Sequence, residues 1–156
     1  MTEWRPVVGY ETLYEISDNG RVWSLGRCIV QRNGHPKTYH PKEMRIHPST
    51  PQGHMKVWLS DLAGNRSHRY VHDLMLEAFV GPRPEGEECL HADDIGSHNV
   101  IGNLRWGTRT ENLLDCVRNG NHYWANKTHC EKCGAELVHN GWQRVCPNRM
   151  KTEHRL

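Results

Sequence analysis

The sequence predicts an α+β fold in which short antiparallel strands dominate and helices enter later in the chain. Two turn signals, Asp18-Asn19-Gly20 and Ala63-Gly64-Asn65, each separate stretches of alternating polarity, which is the pattern of β-hairpins. Residues 71–79 instead have apolar side chains at helical spacing. With 156 residues, of which 36% are hydrophobic, the chain suits one compact domain or two very small ones. Such a modest core needs extra stabilisation, for example from a bound metal.

Hairpins are predicted on both sides of a basic stretch. The first pairs residues 14–17 with residues 21–24, and the second pairs residues 54–59 with residues 67–71. Residues 28–54 lie between them, are rich in Pro, Gly, His and basic residues, and have no period. The sequence leaves two alternatives for this stretch, an irregular loop or a ragged hairpin.

A first helix is predicted from one apolar stripe, which consists of Val71, Leu74, Met75, Ala78 and Phe79. The Gly81-Pro82 pair ends this helix, because neither residue continues an α-helix well. His72 lies off the stripe and is interpreted as a structural residue.

A strand–loop–strand–helix succession is predicted next. Residues 89–91 form one short strand, and residues 104–106 form its hairpin partner across a long polar loop. The second helix starts at Thr108, because Thr108 and Glu111 have the spacing of a capping box. Asn119-Gly120 closes the helix after about three turns.

This succession resembles the HNH endonucleases, in particular the free-standing phage and intron-homing kind. The matching polar residues are His91 at the end of the first strand, Asn103 before the second strand and Asn112 early in the helix. The resemblance covers residues 71–120. It implies a small β-β-α-metal core (the His-Me finger) that hydrolyses phosphodiester bonds of DNA.

The resemblance implies a role for each of these residues. His91 is expected to be the general base that activates water, a task that a neutral imidazole suits near pH 7. Asn103 is expected to hydrogen-bond across the loop and to hold the backbone and ring of His91. Asn112 is expected to bind a divalent cation, Mg²⁺ or Mn²⁺, beside the phosphate.

One position departs from the family pattern. Many relatives have Asp, Asn or His directly before the catalytic His as another metal ligand, whereas this chain has Leu90. Asp93 or Asp94 is therefore expected to reach the metal instead, with Asp93 preferred. The departure also leaves open a DNA-binding protein with a degenerate, inactive HNH core. A third alternative is a zinc-stabilised protein-interaction module that acts beside a larger phage machine.

The N-terminal residues 4–25 resemble the small nuclease-associated module that precedes the HNH core in homing endonucleases, which implies a β-structure that contacts DNA. Residues 21–69 contain nine Lys or Arg and two acids, whereas residues 77–94 contain six acids and one Arg. Such a basic region favours contact with duplex DNA, because phosphate contacts supply most of the affinity. The expected contact residues are Arg21, Arg27, Arg32, Lys37, Lys42 and Arg45.

The C-terminal tail carries a C-x-x-C-G knuckle at residues 130–134, a turn that directs two thiolates to one tetrahedral ion. Cys146 follows at the spacing of a zinc ribbon, and His154 is the preferred fourth ligand, with His129 or His139 as alternatives. A structural Zn²⁺ is therefore predicted, against the alternative of free thiols in a disordered tail. The other cysteines show no pairing pattern and are interpreted as buried or idle: Cys28, Cys89 and Cys116.

Three segments are predicted: a DNA-binding module with a basic loop (residues 1–53), the nuclease core (54–120) and a zinc-ribbon-like tail (121–156). The chain lacks an apolar run of about 18 residues and a signal-peptide pattern, so an intracellular, cytoplasmic protein of a phage or mobile element is expected. Double-stranded DNA is the expected partner and a membrane is not. Phage packaging or mobile-element components are considered as further partners.

Overall fold

The computed structural model describes residues 1–31, 33–121, 128–139 and 144–148. The chain forms two compact units, residues 1–109 and residues 110–156. The elements of the first unit are β1 (Trp4–Pro6), β2 (Tyr14–Ser17), β3 (Val22–Ser24), β4 (Arg27–Val30), β5 (Pro36–Tyr39), β6 (Lys42–Glu43), β7 (Ile46–Pro48), β8 (Met55–Ser60), β9 (Arg66–Tyr70), α1 (Val71–Phe79), β10 (Glu87–His91) and β11 (Leu104–Thr108).

The predicted N-terminal hairpin is confirmed and forms the centre of a four-stranded sheet. The strand order is β1-β2-β3-β6, and all the neighbours are antiparallel. The turn between β2 and β3 ends at Gly20, whose φ of +79° lies in the left-handed region that favours glycine. The turn therefore lies at Asp18-Asn19-Gly20 as predicted, because Gly20 adopts the positive φ that this turn needs.

The basic stretch between the predicted hairpins adopts the ragged-hairpin alternative. β4 and β5 pair antiparallel over four residues each, and β6 and β7 then join two different sheets. The second predicted hairpin is confirmed as β8–β9, with β7 added along the other edge of β8. The stretch had no polarity pattern because the side chains of β5 and β6 are exposed.

The core of the first unit surrounds α1. The predicted stripe is confirmed at Val71, Leu74 and Met75, which are fully buried, while Leu76 is buried as well. The N-terminal sheet supplies a second group to the same core, and β8 and β11 supply the rest: Val7, Leu13, Tyr14, Ile16, Val22, Val57, Leu59 and Leu104. Residues on both sides of position 53 thus share one hydrophobic core. The predicted boundaries of the three segments stay predictions.

β11 runs directly into α2 (Arg109–Arg118), so that Thr108 occupies the residue before the helix, as predicted. The helix ends in a Schellman motif, in which the amides of Gly120 and Asn121 donate to the carbonyls of Val117 and Cys116. Gly120 has a φ of +72°, as this ending requires. The Asn119-Gly120 stop is confirmed.

Most of α2 belongs to the second unit. In that unit two short strands, β12 (Val138–His139) and β13 (Arg144–Val145), pair antiparallel. Within the described ranges, no helix has the length and apolar character needed to cross a bilayer.

Candidate active site

His91 is the last residue of β10, where the strand meets the polar loop. Side chains alternate along a strand, so Cys89 and His91 share one face and Leu90 lies on the other. Leu90 is 1% exposed and His91 is 6% exposed. Leu90 is therefore a packing residue, and β10 places no metal-binding side chain at that position.

Two further histidines surround the His91 ring. The His54 ring stacks on it with centroids 5.6 Å apart, and the His72 ring meets it edge-on at 5.2 Å. The prediction treated His72 only as an off-stripe structural residue, but its ring is buried against His91. The difference arises because α1 packs against β10, a tertiary contact that helical periodicity does not report.

The His91 ring is held by Asn99 and not, as predicted, by Asn103. Asn99 Oδ1 lies 3.3 Å from His91 Nε2. An amide oxygen only accepts hydrogen bonds, so this contact assigns the imidazole proton to Nε2 and leaves the lone pair on Nδ1. Asn103 does bond across the loop, but its carbonyl accepts from the amide of Ala92, next to His91.

The N-terminal hairpin supports Asn99. A Cβ atom on Gly20 would lie 2.8 Å from the carbonyl oxygen of Asn99 and 2.9 Å from its Cβ, so only glycine permits this approach. The amide of Ile101 also donates to the carbonyl of Asp18 in the same turn, at 2.9 Å. The first hairpin thus positions the residue that orients His91.

Asp93 organises the loop that follows His91. Its carboxylate accepts hydrogen bonds from the Ile95 amide at 3.0 Å and from Asn103 Nδ2 at 2.9 Å, and it contacts His98 Nδ1. Asn103 Nδ2 also donates to the His98 carbonyl at 2.9 Å. The side chain of Asn103 therefore fixes Asp93 and the loop rather than the His91 ring.

The surroundings change the pKa values of both candidate groups. Burial lowers the pKa of His91, because desolvation disfavours the imidazolium; the Asn99 contact opposes this effect in part. Burial raises the pKa of Asp93, but the hydrogen bonds from His98, Ile95 and Asn103 outweigh it and lower that pKa to about 2. At pH 7 the loop therefore has a neutral imidazole beside an ionised carboxylate.

Two models of known protein families match parts of this chain. A model of the HNH endonucleases matches residues 69–114, which span the end of β9, α1, β10, β11 and the start of α2. This segment is therefore similar to the HNH endonucleases. A model of the NUMOD4 motif matches residues 3–59, which include the N-terminal sheet.

A phage protein and its solved structure are also similar to this chain. The DNA endonuclease I-HmuI of Bacillus phage SP01 is 26% identical over 119 residues, which are 76% of this chain and 59% of that protein. A solved structure of DNA binding and cleavage by the HNH homing endonuclease I-HmuI matches with a TM-score of 0.60 and 26% identity, over 77% of this chain and 60% of that one. The chain thus spans about three fifths of the relative's length.

The six predicted DNA-contact residues differ in their surroundings. Arg21 forms a bidentate ion pair with Glu43 at 2.8 and 2.9 Å. Arg27 and Lys37 both lie over the ring of Tyr39. The side chains of Lys42 and Arg45 are exposed, and Arg32 lies outside the described residues.

A cleft of about 350 Å³ opens beside the N-terminal sheet. Its lining combines cationic side chains with aromatic ones: Arg27, Lys42, Arg66, Tyr39 and Trp58. Arg66 lies 5.5 Å from the centroid of the Trp58 ring, and Trp58 is 42% exposed. Cations and flat rings at one surface suit a polyanion with stacked bases.

The tail cysteines meet as the sequence predicted. The sulfur atoms of Cys130, Cys133 and Cys146 all lie within 4.8 Å of one another, and the last two are 3.4 Å apart. Hydrogen bonds from the Lys132 and Cys133 amides lower the pKa of Cys130 to about 6, which favours its thiolate. His154 lies outside the described residues.

Asn112 lies in the first half of α2 and is partly buried. Four residues around His91 were not predicted as part of the site: His54, Asn99, His98 and Cys89. A signal existed for Cys89, because it lies two residues before His91 on a predicted strand and so shares its face. His54 is remote in sequence, and Asn99 lies in a loop without periodicity. Cys28 is exposed, so of its interpretation as buried or idle only the second alternative is left.

Proposed function

We propose that the chain is a divalent-metal-dependent DNA endonuclease in which His91 is the general base. The observation that supports this most is the position of His91 at the end of β10, where Asn99 Oδ1 lies 3.3 Å from its Nε2. The similar phage protein is a DNA endonuclease whose solved structure concerns DNA binding and cleavage. These descriptions favour duplex DNA as the substrate of this chain.

The base step follows from the tautomer. With its proton on Nε2, His91 has a lone pair on Nδ1 that takes a proton from water. The resulting hydroxide attacks phosphorus, a new P–O bond forms, and the bond to the departing 3′ oxygen breaks. Because burial lowers the pKa of His91, the ring enters this step unprotonated at pH 7.

We propose Asp93 and Asn112 as ligands of the cleavage cation, Mg²⁺ or Mn²⁺. When bound, such a cation supplies positive charge for the phosphorane-like state and the leaving oxygen. Asp93 fits this role because its carboxylate is ionised and its side chain is 31% exposed. His98 contacts one of its oxygens, so a cation at that oxygen displaces His98.

In this proposal Asn103 is a positioning residue for Asp93. It donates to the Asp93 carboxylate and to the His98 carbonyl, and so fixes the direction in which the carboxylate faces. Leu90 occupies a position that supplies a metal ligand in many relatives. Asp93 is therefore more important as a ligand in this chain. The orientation of His91 by Asn99 favours a catalytic core over one that only binds DNA.

We propose that the NUMOD4 region binds the duplex through its cations. The residues concerned are Arg21, Arg27, Arg32, Lys37, Lys42 and Arg45, and the proposal is supported by the exposure of Lys37, Lys42 and Arg45. Arg21 contributes less, because Glu43 already neutralises its charge.

We further propose that the tail holds one structural Zn²⁺ through Cys130, Cys133 and Cys146, with His154 as the fourth ligand. Three sulfurs within 4.8 Å of one another support the site. A closed tetrahedral shell leaves no position for a water nucleophile, so this ion is separate from cleavage.

A supercoiled-plasmid assay tests the proposal. Purified wild-type chain should convert supercoiled DNA to nicked or linear forms with Mg²⁺ or Mn²⁺, and excess EDTA should stop it. His91→Ala should be inactive, whereas His68→Ala, which removes an exposed ring packed on Trp58, should cut. Full cleavage in excess EDTA, or equal cleavage by His91→Ala, would contradict it. DNA binding without any cutting would favour the inactive-core alternative.

A further inference from the structure

A second group of metal-binding side chains lies within the HNH domain. One ligand atom each of His72, Cys89 and His91 lies within 4.8 Å of the other two. None of these pairings depends on the oxygen ligands proposed for the cleavage cation. The donors are two imidazoles and a thiol, which suit zinc and other borderline transition metals far better than Mg²⁺.

The arrangement is built by the fold and not by one flexible loop. Cys89 and His91 share one face of β10, and His72 reaches them from the first turn of α1. Both imidazoles are 6% exposed, so their positions are fixed by packing. A tetrahedral zinc shell needs ligand separations of about 3.3–3.6 Å, so zinc would draw together ligand atoms that now lie within 4.8 Å of one another.

An unsatisfied nitrogen points independently to a ligand. His72 Nδ1 is buried and has no hydrogen-bond partner in the described part of the chain. Buried polar atoms are almost always paired, so an orphaned imidazole nitrogen in a cluster of metal-binding groups calls for an explanation. A metal ion bound at this nitrogen would satisfy it. The same ion would account for a cysteine thiol that lies beside two imidazoles.

We propose that His72, Cys89 and His91 form a zinc site whose occupation inhibits cleavage. An imidazole ring offers one lone pair at a time, so His91 cannot bind zinc and accept a proton from water together. Zinc would thus switch off the base while leaving the DNA-binding surface intact. The inhibitory part rests on the proposed function, whereas the metal site itself does not.

Cobalt spectroscopy tests the site in the full chain. Replacing Cys130, Cys133 and Cys146 with Ser removes the tail thiols, so that a thiolate-to-cobalt charge-transfer band can be assigned. The band should appear with about one equivalent of Co²⁺, vanish in Cys89→Ser and persist in Cys28→Ser, the matched exposed cysteine. No band, or a band that survives Cys89→Ser, would overturn the site.

A measurement on the unaltered chain guards against misfolded variants. Zinc should protect Cys89 from alkylation, read peptide by peptide by mass spectrometry, while Cys28 reacts equally with and without zinc. Equal alkylation of Cys89 in both samples would overturn the site without any substitution.

Inhibition is measured as the ratio of Mg²⁺-supported cleavage with and without Zn²⁺ within each variant. Cys89→Ser should raise the half-inhibitory Zn²⁺ concentration by at least about tenfold, and Cys28→Ser should leave it unchanged. Zinc that binds but leaves cleavage unchanged, or supports it, would overturn the inhibitory role. If no variant cuts DNA, the proposed function fails, and the inhibitory role fails with it, while the cobalt band still decides the site.

Discussion

Gly96 allows the His54 ring to pack against the loop that follows His91. A Cβ atom at this position would contact His54 Cδ2 and would lie 2.7 Å from the Gln52 carbonyl oxygen and 2.9 Å from His54 Nε2. The His54 ring also packs on His91 and His72, so it cannot shift without disturbing those contacts. Gly96→Ala must therefore shift both backbone and ring.

We expect Gly96→Ala to lower the free energy of unfolding by about 2–3 kcal/mol, the upper part of the range for overpacked cores. Gly102→Ala is the matched control, because a Cβ there meets nothing within 4 Å. The control should be neutral or stabilised by up to about 1 kcal/mol through the unfolded chain.

Urea denaturation followed by tryptophan fluorescence measures both variants. In thermal denaturation followed by the same fluorescence, the melting temperature of Gly96→Ala should fall by about 4–12 °C, given about 2–4 °C per kcal/mol at this chain length. Cleavage should also fall, because a displaced His54 disturbs His91. Equal stability of the two variants would refute the steric reasoning and the packing of His54 against this loop.

Proton, salt and zinc dependence give three further predictions. The pH profile of cleavage should have its acid limb below the ordinary imidazole pKa of about 6.5, since burial lowers the pKa of His91 and the neutral base persists to lower pH; a limb centred above 6.5 would contradict this. DNA affinity should fall by about 0.9 log units per phosphate contact for each tenfold rise in salt. Neutralising Lys37, Lys42 and Arg45 should reduce that slope, and an unchanged slope would exclude them as contacts. Protein purified without added metal should contain at least one zinc per chain, and Cys133→Ser should remove the tail ion, unfold the tail and weaken DNA binding; elemental analysis well below one equivalent in reduced protein would rule the tail site out.

Local chemistry made much of the fold predictable. The turn at Gly20, the stripe on α1 and the stop at Gly120 each depend on residues close in sequence, so the sequence contains their whole cause. The hairpin β4–β5 could not be predicted over a loop, because β5 is exposed along its whole length and carries no polarity pattern.

Only those parts of the candidate site that depend on residue spacing in the sequence were predictable. His91 and the cysteine trio followed from spacing, whereas the three-histidine cluster depends on how α1 and the loop before β8 pack against β10. Asn103 shows the same limit. Its position across the loop was predictable. That its side chain donates to Asp93, while Asn99 contacts the His91 ring, depends on how the loop folds.

The single-turnover cleavage rate of wild type and His91→Ala, at saturating protein with Mg²⁺, tests the central claim most directly. Binding of the same duplex is measured in parallel, in Ca²⁺ or EDTA. Loss of a general base should slow cleavage by at least about 10²-fold while the binding constant changes little. Equal cleavage rates at equal occupancy would contradict His91 as the base.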